Sequence, residues 1–265
     1  MNIDTLFYVF KTQILKSLAY KFDVYGNILM QTIIMIASAY FWKALFKNAS
    51  SIQGVTVETM MTYTVISSLI SVLLTCNVER RIMKSVEKGT VAIDLMRPVN
   101  IFHVYFAENL GSIVALIFQN LLPILLIGSL LIGIPAPASK ESLLFFFPSL
   151  LLAFFINWFL AVIFGMWAFT AISMDPLIQV KKHLIRLLSG SIIPLWFFPA
   201  WLKTILKCLP FIYLYQIPLD LYIGKYDKAS LFQGFMIQII WVIGLYLCYR
   251  YLSSRVSKKV MVQGG

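Results

Sequence analysis

Residues 143–172 read LLFFFPSLLLAFFINWFLAVIFGMWAFTAI and contain no charged side chain. The run of 30 residues exceeds the roughly 20 apolar residues that an α-helix needs to cross a bilayer. A helix of this length is expected to tilt or to project beyond the membrane. The stretch therefore predicts an integral membrane protein built from helices.

Composition extends this expectation to the whole chain of 265 residues, of which 60% are hydrophobic and 12% are charged. Soluble domains carry about 25% charged residues, so this chain has too few charges to cover a water-exposed surface. The net charge of +11 lies in short segments between apolar runs. No basic patch with interleaved aromatic side chains is present, so the charge favours an effect on membrane orientation over nucleic-acid binding.

The apolar runs predict an all-α protein with about six transmembrane helices in a single domain, residues 1–265. The predicted spans are residues 24–46, 60–76, 110–134, 143–172, 178–195 and 231–252. Before them, residues 3–22 place apolar side chains at three- and four-residue spacing among lysines. This pattern predicts an amphipathic helix in the membrane interface. The alternative is that these residues are the leading end of the first span.

The 22 Lys and Arg residues divide unequally over this predicted topology, with 15 on one side and seven on the other. The richer side holds the N-terminal segment, the loop after span two, the start of span five and the C-terminal tail. The positive-inside rule places this side in the cytoplasm, together with both termini. Such an arrangement requires an even number of spans, in agreement with six.

Residues 78–100, between spans two and three, are the most charged part of the chain. Gly89 predicts a helix C-cap, where a left-handed backbone needs no side chain. Arg97-Pro98 then predicts the start of the next helix. A structured cytoplasmic loop of this kind is either a docking element for a partner or a solvated loop with capping residues.

Residues 194–224 are too apolar for a solvated loop and are broken by prolines. They predict short helices and turns that re-enter the outer face of the membrane, where protein or a water-lined cavity covers the backbone. The functional interpretation is an outer gate over a translocation path, and the alternative is an aromatic belt at the headgroups. The candidate gate residues are Gly190, Pro194, Phe198, Pro199, Trp201, Pro210, Phe211 and Pro218.

Ionisable side chains are nearly absent from the span centres, which argues against an ion-driven transporter. Gln119, Asn120 and Asn157 are amides within the predicted spans, where such groups most often tie helices together. The alternative is that they line a substrate path, and an apolar interior with a few amides suits an amphiphilic cargo. The sequence has no metal motif, complete phosphate loop or convincing Ser-His-Asp set, so no enzyme activity and no metal are expected on this chain.

Several short motifs, in their order and spacing, resemble the ABC-2-type permease subunits of bacterial ATP-driven exporters. They are YKFD at 20–23, KGTVAIDLMRP at 88–98, SGSIIP at 189–194, FPAWL at 198–202, LPF at 209–211 with Pro218 and Gly224, and the terminal Gly264-Gly265. The likeness covers nearly the whole chain.

The resemblance implies a permease of the bacterial cytoplasmic membrane that pairs with a second permease, the same or a related chain. The pair would form a path for a hydrophobic or amphiphilic substrate, such as a drug, an antimicrobial peptide, a lipid or a glycan precursor. ATP and Mg would bind to a separate ATP-binding cassette subunit, and no cofactor to this chain. A membrane receptor or assembly protein that transports nothing is the alternative.

The resemblance also implies where that subunit docks, namely on the N-terminal helix and on the loop between spans two and three. The matching residues are Glu87, Lys88, Gly89, Thr90, Asp94, Leu95, Arg97 and Pro98.

Overall fold

The computed structural model describes residues 3–19, 21–90, 100–133, 135–169 and 175–263. These residues form helices joined by turns, with an isolated bridge between Ile52 and Val55 in the loop that follows the first span. The prediction of an all-α protein is confirmed for this part of the chain.

The described helices are introduced here in chain order. They are α1 (Ile3–Ala19), α2 (Lys21–Leu45), α3 (Val57–Leu73), α4 (Val78–Glu87), α5 (Ile101–Leu116), a π-helical turn (Ile117–Leu121), α6 (Leu122–Leu131), α7 (Lys140–Met166), α8 (Asp175–Leu188), α9 (Ala200–Lys207), α10 (Ile212–Ile223) and α11 (Lys228–Gln263). Short 3-10 turns cover Trp167–Phe169 and Leu195–Phe197.

Within the described residues, five helical segments are long and apolar enough to cross a membrane. They are Val24–Leu45, Val57–Glu87, Ile101–Leu131, Lys140–Phe169 and Ala229–Arg255. These segments overlap predicted spans one, two, three, four and six. The chain is therefore a multi-pass membrane protein.

The helix predicted over residues 178–195 is wrong at its C-terminal end. It corresponds to α8, which ends at Leu188 after 14 residues, fewer than the roughly 20 of a membrane span. The helix ends there because Gly190 has a φ of +85°, a left-handed backbone that glycine adopts without steric cost. A sixth crossing stays a prediction.

The centre of the bundle is formed by α3 and α7. Ten of the 17 residues of α3 are buried, and Ala153 and Ile156 in the middle of α7 have no exposed surface. The outer helices α2, α6 and α11 instead leave side chains such as Leu29, Leu126 and Ile243 exposed. Exposed apolar side chains of this kind suit contact with lipid or with another subunit.

The N-terminal helix α1 packs against α5. A Cβ at Gly111 would lie 2.6 Å from the carbonyl oxygen of Phe10, so the two backbones meet at this glycine. Next to it, the Gln13 amide donates a hydrogen bond to the Ser112 hydroxyl at 3.0 Å. These contacts fix α1 to the bundle, while its position in the plane of the membrane interface stays a prediction.

Short helices and turns occupy residues 195–223, as the proline-rich pattern predicts. Of these, α10 packs against α7 and α3, and its Leu214 and Leu219 are fully buried. The Tyr222 hydroxyl at its end donates to the Pro135 carbonyl at 2.5 Å. The segment is therefore part of the folded bundle, and its re-entry into the membrane stays a prediction.

Candidate functional site

A polar groove of about 310 Å³ runs along α3, between α2 and α8. One wall is a stripe of hydroxyl side chains on α3, facing the polar side chains Gln31 and Ser38 of α2. The stripe consists of Thr64, Ser67, Ser68, Ser71 and Thr75. These residues share a face because spacings of three and four residues return to the same side of an α-helix.

The hydroxyl hydrogens of this wall are used by the protein itself. Thr64 donates to the carbonyl of Met60 at 2.9 Å, and Ser68 donates to that of Thr64 at 3.0 Å. Ser71 and Thr75 likewise donate to carbonyls one turn earlier, at 2.7 and 3.0 Å. A hydroxyl that donates its single hydrogen still has lone pairs to offer, so the wall presents hydrogen-bond acceptors to the groove.

At the end of the groove next to α4, Glu79 and Lys181 form a buried ion pair. Their side chains are 1% and 5% exposed. Glu79 is carried by α4, which packs closely on α7 at Gly165, where a Cβ would lie 3.0 Å from the Cα of Glu79. The pair thus connects α8 to α4, the helix that leads into residues 88–100.

Beside this pair, α8 turns two further cations to the groove. Lys182 and Arg186 both line it, one helical turn apart, and both side chains are exposed. Among the described residues that line the groove, Glu79 is the single carboxylate. Since Lys181 already neutralises Glu79, this end of the groove has a net positive charge.

The opposite end of the groove is closed by the segment after α8. The Ser67 hydroxyl donates to the carbonyl of Ser191 at 2.6 Å, and the Tyr63 hydroxyl donates to that of Gly190. Gln216 of α10 holds the same segment, because its Oε1 accepts the backbone N–H of Leu195 at 2.7 Å. These three hydrogen bonds hold this end of the groove closed.

Aromatic side chains surround this closure. Lys225, in the loop after α10, lies 4.2 Å above the Trp196 ring and donates to the carbonyl of Gln53 at 2.6 Å. Partial burial lowers the pKa of the Lys225 ammonium from its ordinary value. Of the candidate gate aromatics, Phe198 packs partly buried against the core, whereas Trp201 is 65% exposed.

The remaining candidate gate residues mark the ends and the interior of short helices. Pro194 precedes the Leu195–Phe197 turn, and Pro199 precedes α9. Pro210 and Phe211 lead into α10, and Pro218 lies inside it. Gly190 and Pro194 thus lie in the segment that closes the groove, whereas the others lie in or beside the helices that follow it, and a gating movement stays a prediction.

The three predicted path amides lie in different places. Asn157 lines the groove and donates to the carbonyl of Leu74 at 2.6 Å. Gln119 donates to the carbonyl of Ser17 at 3.4 Å and so joins α1 to the π-helical turn. Asn120, in the same turn, is buried, and its Oδ1 has no hydrogen-bond partner among the described residues. The structure therefore brings one of the three to the groove.

The first four predicted coupling residues lie at the C-terminal end of α4 and directly after it. The helix ends at Glu87, Lys88 is its C-cap, and Gly89 has a φ of +66°. The left-handed backbone predicted at Gly89 is therefore confirmed, although it lies one residue after the C-cap. The Thr90 hydroxyl donates back to the carbonyl of Ser85 at 3.3 Å. The other four residues, Asp94, Leu95, Arg97 and Pro98, lie outside the described residues.

Sequence reasoning missed most of the groove. The hydroxyl stripe on α3 lies within predicted span two, where serine and threonine fit an ordinary transmembrane helix because they bond to their own backbone. The signal that was available is the repeated spacing of three and four residues that places them on one face. The cations of α8 entered the sequence argument only as markers of membrane orientation.

An all-helical bundle with several candidate spans and a polar groove at its side has the architecture of a multi-pass transport protein. The family model described as ABC-2 family transporter protein matches residues 32–264. The chain therefore belongs to the ABC-2 transporter family, as its motifs indicate. A comparison with curated proteins found no match.

Membership gives the chain a general role. The family provides the transmembrane, generally non-catalytic component of a transporter, and it implies an ATP-binding cassette partner. The groove is the feature of this bundle that best fits such a role.

Proposed function

We propose that this chain is the permease subunit of an ABC exporter and forms, with a second permease, the path of an amphiphilic substrate. The polar groove between α2, α3 and α8 is the observation that carries the proposal. Charged side chains such as Lys182 and Arg186 are costly against lipid, so a groove on a transmembrane bundle that carries them faces another protein chain or a water-filled cavity. A second permease against α2 and α8 would provide that cover.

A symmetric pair is the simplest arrangement of this kind, because a two-fold axis places the same surface of both subunits in contact. The two grooves would then face each other across the interface and form one path. A related but different second permease would satisfy the same geometry. In either arrangement the apolar faces of α6 and α11 are free to contact lipid.

ATP hydrolysis, with Mg, would occur on the separate cassette subunit, and α4 would transmit its movement. The predicted docking residues Glu87, Lys88, Gly89 and Thr90 lie at the end of this helix. The Glu79–Lys181 pair joins its beginning to α8, one wall of the groove. A shift of α4 would therefore displace α8 and the segment that closes the groove, which is the two-state coupling that such a transporter requires.

The proposal places the chain in the bacterial cytoplasmic membrane with both termini in the cytoplasm. The cationic end of the groove and α4 then lie on the cytoplasmic side, and the closing segment lies on the outer side. The sixth crossing would be made jointly by α8 and α10, which meet where the Gln216 N–H donates to the carbonyl of Ser189 at 3.1 Å. Two short helices of this kind resemble the discontinuous spans of other transporters.

The first test is purification of the tagged chain from its native membrane in mild detergent, followed by mass spectrometry of the proteins that accompany it. We expect an ATP-binding cassette subunit, with or without a second permease. A pure single chain, without a cassette subunit at any detergent strength, would contradict the proposal and favour a receptor or assembly protein.

Docking is tested on the reconstituted complex. We expect Asp94→Ala and Arg97→Ala to reduce substrate-stimulated ATP hydrolysis and transport while expression stays normal. Lys140→Ala, a charge change at the opposite end of the bundle, is the matched control and should have no effect. Normal stimulation in both loop variants would remove residues 88–98 from the docking surface.

A further inference from the structure

The chemistry of the groove changes along its length, with cations at one end and hydroxyl acceptors along the wall. Lys182 and Arg186 lie on one face of α8, since residues four apart are neighbours on a helix surface. Lys181, on the same helix, faces inward and is paired with Glu79. Two cations therefore remain to meet a ligand.

The surroundings of these cations favour an added anion. The positive charges of Arg80 and Lys181 repel the positive charge of Lys182. The nearest balancing carboxylate, Glu79, is already paired with Lys181, and Asp175 at the start of α8 lies 3.9 Å from Arg80. Charge-assisted hydrogen bonds from ammonium and guanidinium groups to phosphate or carboxylate are among the strongest available to a protein.

The hydroxyl wall adds a second requirement. Because Thr64, Ser68 and Thr75 spend their hydrogens on backbone carbonyls, they offer acceptors to a bound molecule. Ser71 does the same with one lone pair, since it already accepts a hydrogen bond from the Gln31 amide. A ligand gains hydrogen bonds along this wall only if it carries donors, such as hydroxyl groups.

We infer that the groove binds an anionic amphiphile whose headgroup carries hydroxyl donors, with the anion at Lys182 and Arg186 and the hydroxyls along α3. The inference rests on the proposed function, to which it adds the class of cargo. The groove volume of about 310 Å³ lies at the small end of the range of about 300–1,000 Å³ for small-molecule sites. A volume of this size suits the headgroup of an amphiphile. The apolar part of the molecule would lie along the exposed apolar surface beside the groove.

The test measures displacement of a fluorescent phosphatidylglycerol from the purified full-length chain in a nonionic detergent. Three short-chain competitors separate the two requirements. Dihexanoyl phosphatidylglycerol has the anion and hydroxyls, dihexanoyl phosphatidylmethanol has the anion alone, and dihexanoyl phosphatidylcholine is zwitterionic and lacks hydroxyls. We expect affinity to fall in that order, with at least about a tenfold difference between the first and the last.

Variants locate the site on the chain. Lys182→Gln with Arg186→Gln should abolish the preference for the anionic competitors, whereas Lys182→Arg with Arg186→Lys should keep it. Arg250→Gln with Arg255→Gln removes the same charge from α11, away from the groove, and should leave binding unchanged. An unchanged preference in the first variant, or an equal loss in the α11 variant, would overturn the inference.

Two further outcomes refine the test. Equal affinity for phosphatidylglycerol and phosphatidylmethanol would overturn the role of the hydroxyl wall. If inorganic phosphate displaced the fluorescent lipid at the same concentration as the short-chain lipids do, the site would recognise a free anion. That result would overturn the assignment of an amphiphilic ligand. Recovery of a cassette subunit in the purification leaves the proposed function standing in each of these cases, so the two failures are distinguishable.

Discussion

Replacing Lys181 by Met is expected to destabilise the chain strongly, because it leaves the Glu79 carboxylate buried without a counter-charge. The two side chains are 5% and 1% exposed, and Oε1 of Glu79 has no hydrogen-bond partner in the described structure even in the wild type. Removing one partner of a buried ion pair costs about 3–5 kcal/mol. For a chain of this size, this corresponds to a fall in Tm of roughly 10 °C.

The assay is thermal unfolding of the purified chain in one detergent at one scan rate, because membrane proteins often unfold irreversibly. Arg80→Met is the matched control, since its ion pair with Asp175 spans 3.9 Å and both side chains are substantially exposed. An exposed pair contributes about 0–1 kcal/mol, so this variant should lose at most about 3 °C.

A double variant separates the loss of the pair from the burial of a single charge. Glu79→Leu with Lys181→Met removes both charges and should recover much of the stability, because an apolar pair of similar volume often replaces a buried ion pair without loss. Equal Tm values for Lys181→Met and Arg80→Met would refute the reasoning. So would a double variant less stable than the single one.

Two further predictions concern glycines with a left-handed backbone. Gly190→Ala combines strain at a φ of +85° with a collision between the new Cβ and Oε1 of Gln216, so it should lower Tm by at least roughly 5 °C. It should also loosen the closed end of the groove, which is measured as faster protease cleavage after α8. A Tm and a cleavage rate equal to those of the wild type would contradict this prediction. In Gly89→Ala the new Cβ meets no atom within 4 Å, so the loss of stability is limited to the backbone strain of about 1 kcal/mol. Gly89→Asn should lower Tm less, because asparagine tolerates a left-handed backbone. Equal Tm values for the two variants would argue against a left-handed backbone at this position.

Much of the fold was predictable from the sequence because the hydrophobic effect acts on each stretch of chain by itself. A run such as residues 143–172 partitions into a membrane whichever helix it later meets, and in the structure Lys140–Phe169 is a continuous helical segment long and apolar enough to span one. The cap at Gly89 is equally local, since it depends on the left-handed backbone of a single residue. The order and spacing of short motifs were sufficient to indicate the family.

The candidate site was much less predictable, because it depends on how helices are rotated and aligned against each other. Glu79 and Lys181 are 102 residues apart in sequence, and no local pattern pairs them. The end of α8 at Leu188 follows from contacts of the next residues with Tyr63 and Gln216 as well as from Gly190.

The sequence by itself determined that this chain lies in a membrane, which stretches form its long apolar helices, and to which transporter family it belongs. Tertiary structure alone decided that the hydroxyls of α3 and the cations of α8 face one groove, and that Asn157 joins them while Gln119 binds α1. The physical reason is that apolar burial sums over neighbouring residues in the chain. A binding site, in contrast, requires particular atoms from distant helices to meet at hydrogen-bond distance.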